Sequence, residues 1–174
     1  MRQTTSTLRF AALALGLLPL AAAAFELALA EPDLSIAVPG VPAIELREQP
    51  ASAPAGRRAF TGHDALYHVE LTLSPQAPET SPRVCAGQFL RTLVMVPGMP
   101  PRDSIYRAPL DARTFLVIYA LGDERQPTLH AHIVSAAGTA HCADAHFSRR
   151  AAPGEDIDDW RTTFTSARVA APAH

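Results

Sequence analysis

The chain has 174 residues, of which 48% are hydrophobic and 18% are charged, and its formal net charge is −2. A chain of this length suits one ordinary domain that can bury a core without a metal ion or many disulfides. The mildly acidic charge gives no electrostatic reason to bind nucleic acid or anionic lipid, so both are excluded as expected ligands.

Two residue types are missing from the sequence. It contains no lysine and no asparagine, so all fifteen basic residues are arginine. Lysine and asparagine codons are AT-rich, and their absence therefore points to a GC-rich bacterial genome. Lysine Schiff-base chemistry and N-glycosylation are also excluded, because each needs one of the missing residues.

Residues 1–30 are predicted to be a cleavable signal peptide. Arg2 and Arg9 precede an apolar run over residues 10–24, and small residues offer cleavage after Ala24 or after Ala30. The run is shorter than the roughly twenty residues that a membrane anchor needs, so cleavage is favoured over a retained anchor. We expect a bacterial protein of the periplasm or exterior. A chain starting at Glu31 would lose two arginines and one glutamate, which takes its net charge from −2 to −3.

The remaining chain is expected to be one β-rich domain over residues 60–169. Residues 31–59 are predicted to be an N-terminal arm followed by a Pro/Ala-rich linker, and residues 170–174 a disordered tail. The first strong pattern covers residues 65–73. Its apolar side chains alternate with polar ones and are Tyr67, Val69, Leu71 and Leu73. This period of two predicts a half-buried strand.

The middle of the chain carries two apolar runs separated by a long loop. Residues 87–96 are predicted to be a strand that ends at Pro97-Gly98, because their second half is rich in β-formers. The proline-rich loop over residues 97–109 is a candidate interaction loop, since loops of this length are often functional. Its candidate binding residues are Met99, Ile105, Tyr106 and Arg107.

The C-terminal half supplies the remaining strands. Residues 114–121 are continuously apolar, which predicts a central strand buried on both faces. Residues 128–135 and 139–147 are predicted to pair as a hairpin, residues 155–160 to start a short helix, and residues 160–169 to form a last strand. Six or seven short strands with proline-rich loops predict an antiparallel β-sandwich or open barrel, with an α+β fold as the alternative.

The two cysteines, Cys85 and Cys142, are predicted to form one disulfide. An isolated pair in an exported chain is most often oxidised. Neither cysteine belongs to a CxxC motif, which argues against a pair of thiol metal ligands.

The histidines are the only candidate site with a defined geometry. His130 and His132 lie two residues apart on a predicted strand, so both side chains share one face. A hairpin loop of two or four residues would add His141 to that face, whereas a three-residue loop would add Cys142, Asp144 and His146. Either set could bind zinc or copper, but histidines on the polar side of a strand are more often simply solvated.

No hydrolase signature or phosphate-binding glycine loop occurs in the sequence. The expected function is therefore a non-enzymatic binding module that recognises an exported or envelope protein, or a surface glycan. The second hypothesis is a periplasmic zinc- or copper-binding protein that uses the strand histidines. The third is an enzyme whose signature is not recognisable. No other cofactor is expected.

Overall fold

The computed structural model describes residues 24–50, 56–77, 80–123 and 125–170. These residues form two antiparallel β-sheets and two α-helices. The strands are β1 Ala24–Leu29, β2 Leu34–Pro39, β3 Arg47–Glu48, β4 Arg58–His63, β5 His68–Pro75, β6 Tyr106–Pro109, β7 Thr114–Leu121, β8 Thr128–Ala137, β9 His141–Arg150 and β10 Arg168–Ala170; the helices are α1 Pro82–Leu93 and α2 Ile157–Thr165. Among the described residues, no helix is long and apolar enough to cross a membrane.

The larger sheet has seven strands in the order β3-β4-β5-β9-β8-β7-β6. The smaller sheet has three strands in the order β1-β2-β10, so the two ends of the described chain meet in it. The prediction of an antiparallel, sandwich-like β fold with one disulfide is confirmed. The smaller sheet and the short strands β3 and β6 raise the number of strands above the predicted six or seven.

The main core lies between the smaller sheet with α2 and one face of the larger sheet. Phe147 on β9 is completely buried there, with Phe25 of β1 edge-on at 5.1 Å and Phe164 of α2 also at 5.1 Å between ring centroids. The strand predicted from the alternation over residues 65–73 is confirmed as β5, and its predicted apolar face points into this core. Burial of this continuous apolar surface is the dominant force that holds the layers together.

The second face of the larger sheet is covered by α1. Two smaller apolar clusters lie beneath the helix, one around Leu93, Ile105 and Val117 and the other around Cys85 and Val134. The strand predicted over residues 114–121 is confirmed as β7, which is buried on both faces because its alternate residues reach the main core and the α1 layer.

The prediction of a strand over residues 87–96 is wrong, because this segment belongs to α1. Ser81 caps the helix by accepting a hydrogen bond from the Val84 N–H at 3.4 Å, and Pro82 occupies the first turn. A serine cap followed by proline favours a helix start. Cys85, Phe89 and Leu93 are four residues apart, which places them on one helical face over the sheet.

The predicted start of a short helix over residues 155–160 is confirmed, but the prediction of a strand over residues 160–169 is wrong for most of its length. Asp156 and Asp159 form a capping box that starts α2, and the helix continues to Thr165 before the short strand β10. Trp160 and Phe164, four residues apart, then point into the core together. Apolar residues at this spacing suit a helical face better than a strand face.

Several predicted terminal segments lie partly outside the described residues. Residues 1–23 of the predicted signal peptide, residues 51–55 of the predicted linker and residues 171–174 of the predicted tail are not described. Residues 24–29 form β1, and residues 34–39, within the predicted arm, form β2 at the centre of the smaller sheet. The predicted loop over residues 97–109 contains a 3-10 turn, Arg102–Ser104, and β6, which pairs with β7.

Candidate functional site

The hairpin of β8 and β9 decides which histidines share a face. Ala137 pairs with His141 across a three-residue loop, and His132 pairs directly with His146. The register is therefore the one that places Asp144 and His146 on the face of His130 and His132. His141 lies on the opposite face of β9, because side chains alternate along a strand.

We define the histidine cluster as His130, His132 and His146 together with Tyr119 and Asp144. The His132 and His146 rings stack with 4.2 Å between centroids and 4° between planes. The His130 and His146 rings lie side by side in nearly the same plane, with 5.2 Å between centroids and 9° between planes. His130 Nδ1 lies 2.9 Å from His146 Nε2, so one of these nitrogens donates a hydrogen bond to the other. His132 lies between two partners, with Nδ1 3.0 Å from Asp144 Oδ1 and Nε2 3.0 Å from Tyr119 Oη.

Helix α1 covers part of the cluster. The centroids of the Phe89 and His132 rings are 4.6 Å apart, and His132 is only 6% exposed. The interpretation of His130 and His132 as solvated outward residues therefore fails for His132. The sequence prediction missed this cover because it placed residues 87–96 in a strand, and the signal that could have revealed it is the Ser81-Pro82 helix start.

Burial changes the acid–base properties of the cluster. Desolvation, and then the neighbouring histidines, lowers the pKa of His130 to about 4 and that of His146 to about 2. Desolvation and the negative charge of Asp144 raise the pKa of Tyr119 to about 12. At neutral pH the imidazoles of His130 and His146 and the phenol of Tyr119 are therefore all uncharged.

The cluster should make folding sensitive to acid. In the unfolded chain His130 and His146 take up protons near their ordinary pKa, whereas in the folded chain their pKa values are lowered. The free energy of unfolding is then highest above about pH 6.5 and falls as the pH drops towards 4. The fall is at most about 1.4 kcal/mol per pH unit for each proton that the unfolded chain binds and the folded chain does not.

Urea unfolding at several pH values tests this expectation. Replacement of both histidines by glutamine, His130→Gln with His146→Gln, should flatten the pH profile between 6.5 and 4. The matched control is His63→Gln, because His63 is exposed and lies outside the cluster. An unchanged slope in the double variant would contradict the assignment of the acid sensitivity to the cluster.

The metal hypothesis is not supported by a ligand geometry in the described part of the chain. No group of three or more histidine, cysteine, aspartate or glutamate side chains is placed there to bind a metal ion. Both ring nitrogens of His132 have partners in the protein, and His130 contacts His146 directly. Metal binding by His130, His132, His141 or His146 stays a prediction from the sequence.

A polar cavity of about 250 Å³ opens beside the cluster, between α1 and the face of the paired strands β5 and β9. Among the described residues that line it, Asp144 is the one carboxylate, and Arg57 and Thr72 also face the cavity. Gln88 of α1 donates a hydrogen bond to Gln76 at 3.0 Å across the same space. The cavity thus gives Asp144 access to solvent, whereas its partner His132 stays buried.

The predicted disulfide between Cys85 and Cys142 is confirmed, with 5.5 Å between the two Cα atoms. It ties the first turns of α1 to β9, two residues from Asp144. The bond therefore fixes the helix that covers the histidine cluster.

The four candidate residues of the interaction loop have different environments. Ile105 is buried, and Met99 packs half-buried against the apolar cluster under α1. Tyr106 is half-buried on β6, where the guanidinium of Arg161 lies 5.6 Å from its ring centroid. Arg107 is exposed.

Arg107 lines a groove of about 230 Å³ between the end of α1 and the loop that follows it. We call it the arginine groove: its wall is apolar (Leu90, Leu93, Val94 and Ile105) and its charged residues are Arg91, Arg102 and Arg107. The described lining residues contribute three guanidinium groups and no carboxylate. Among the described residues none of the three arginines forms an ion pair.

Comparisons with known proteins do not identify a family. No protein-family model matches the chain, and no curated protein matches it. A crystal structure from Bacteroides thetaiotaomicron is similar with a TM-score of 0.43 and 9% sequence identity, over 84% of this chain and 48% of that one. The chain thus spans about half the length of that structure, and the likeness supports no functional conclusion.

Proposed function

We propose that this protein is an exported binding module that recognises a segment of another envelope or exported protein. The observation that carries the proposal is the arginine groove, whose described residues combine an apolar wall with three guanidinium groups and no carboxylate. The matching partner segment places an apolar side chain in the groove and carboxylates beside it. Arginine pairs well with carboxylates because its planar donors can make two parallel hydrogen bonds.

An exposed apolar surface next to the groove supports the same proposal. Val94, Met95 and Val96 follow α1 directly and are 42%, 79% and 44% exposed. Consecutive exposed apolar residues are costly in water unless they serve a contact. Apolar residues and arginine at one patch are also typical of protein interfaces, whereas an uncharged glycan offers no carboxylate to the arginines.

In-cell photo-crosslinking tests this proposal directly. A photoreactive amino acid replaces Met95, next to the groove, and in a matched control it replaces Leu66, which is 68% exposed elsewhere on the surface. We expect a protein adduct of defined mass from position 95 and none from position 66. Because the two probes differ mainly in position, random collisions would label both.

Charge reversal tests the role of the arginines in the same assay. Arg102→Glu with Arg107→Glu should reduce the adduct about tenfold, equivalent to about 1.4 kcal/mol of binding free energy. The matched control is Arg47→Glu with Arg168→Glu, because these exposed arginines lie on β3 and β10. No protein adduct at position 95, or an adduct to lipid or glycan only, would overturn the proposal.

A further inference from the structure

We propose that the leader is removed at the bond between Ala24 and Phe25, and that β1 is retained in the mature protein. The inference rests on the proposed export of the chain. The sequence alone offers two cleavage frames, after Ala24 and after Ala30, both preceded by small residues. The structure distinguishes them because the residues between the two frames are part of the core.

The contacts of β1 show what cleavage after Ala30 would remove. All six residues of β1 pair with β2, from Ala24 opposite Pro39 to Leu29 opposite Leu34. The side chain of Phe25 is 1% exposed and meets the Phe147 ring edge-on in the main core. Loss of this segment would open a cavity beside Phe147 and leave the backbone of β2 unpaired on one side.

Of the described residues, cleavage after Ala24 removes only Ala24 itself. Ala24 is half-buried and lies at the end of β1, opposite Pro39. Proline has no N–H, so this last pair can form at most one backbone hydrogen bond. Phe25, which becomes the first residue, keeps its side chain in the core.

The step itself is hydrolysis by a membrane-bound signal peptidase acting on the translocating chain. Water breaks the amide bond between the two residues and leaves a carboxylate on Ala24 and an ammonium group on Phe25. Small side chains are required just before the cut, and residues 22–24 are all alanine.

The test is expression of the full chain in a bacterium, followed by cell fractionation, intact-mass measurement and N-terminal sequencing. We expect a periplasmic or secreted product that begins at Phe25. Ala24→Leu should block this cut and leave the leader attached, whereas the matched change Ala30→Leu, at an exposed position after β1, should leave processing unchanged.

Each of the other outcomes contradicts either the cleavage site or the export of the chain. A product that begins at Glu31, or a block by Ala30→Leu, would overturn the cleavage site and leave export intact. A full-length chain in the membrane would also overturn the site. A full-length chain in the cytoplasm would overturn export itself. As a second measurement, a chain made to begin at Glu31 should unfold at a lower urea concentration than one that begins at Phe25.

Discussion

Replacement of Phe147 by alanine is expected to lower the free energy of unfolding by about 3 to 5 kcal/mol. Phe147 is completely buried in the middle of β9, between rings contributed by β1 and α2. The substitution removes apolar contacts and leaves a cavity among elements that are fixed by their own hydrogen bonds. It also breaks two aromatic contacts, each of which adds about 0.5 to 1.5 kcal/mol beyond its buried area.

Urea unfolding, followed by far-UV circular dichroism, measures this loss. The control is Leu66→Ala, because Leu66 is 68% exposed and its loss should change stability by no more than about 0.5 kcal/mol. A loss below about 1 kcal/mol for Phe147→Ala would mean that the two sheets and α2 do not meet at this ring. If the variant does not fold, Phe147→Leu provides a smaller change at the same position.

Removal of the disulfide should lower the free energy of unfolding, measured by urea unfolding, by about 4 kcal/mol. The bond joins residues 57 positions apart, and the chain-entropy estimate grows with the length of the closed loop. Alanine is the appropriate replacement in Cys85→Ala with Cys142→Ala, because Cys85 is 1% exposed and a serine hydroxyl would be buried without a designed partner.

A second measurement separates loss of stability from release of α1. If the bond fixes the helix over the histidine cluster, its removal should let water reach the rings and bring the pKa values of His130 and His146 closer to their ordinary value. NMR titration of the imidazole protons in the double variant measures this shift. If the titration curves of the double variant match those of the unsubstituted protein, and the free energy of unfolding falls by less than about 1 kcal/mol, both roles of the disulfide are contradicted.

The strands could be predicted from the sequence where their pattern is local. The alternation in β5 and the continuous apolar run of β7 reflect which faces are buried, and the structure confirms both. The start of α2 was predicted from its acidic first turn, but α1 and the rest of α2 were mistaken for strands because short apolar runs fit either period. Their caps, Ser81 before Pro82 and the aspartate pair at α2, are the local signals that distinguish the two.

The candidate site could be predicted only in part. The sequence placed His130 and His132 on one face and named Asp144 and His146 as partners for one hairpin register. It could not choose that register, because the loop length sets which residues of β9 lie opposite β8. It also missed Tyr119, whose contact with His132 comes from the neighbouring strand β7.

By itself, the sequence determined the mainly β class, the pairing of Cys85 with Cys142 and the polar face that carries the histidines. These features depend on residue type and on a period of two, which are local properties. Only the tertiary structure decided that α1 covers the histidines, that β1 belongs to the core and that three arginines line one groove. The first two result from contacts between residues far apart in the chain, and the third from the way the loop after α1 folds back against the helix. No local sequence pattern records either.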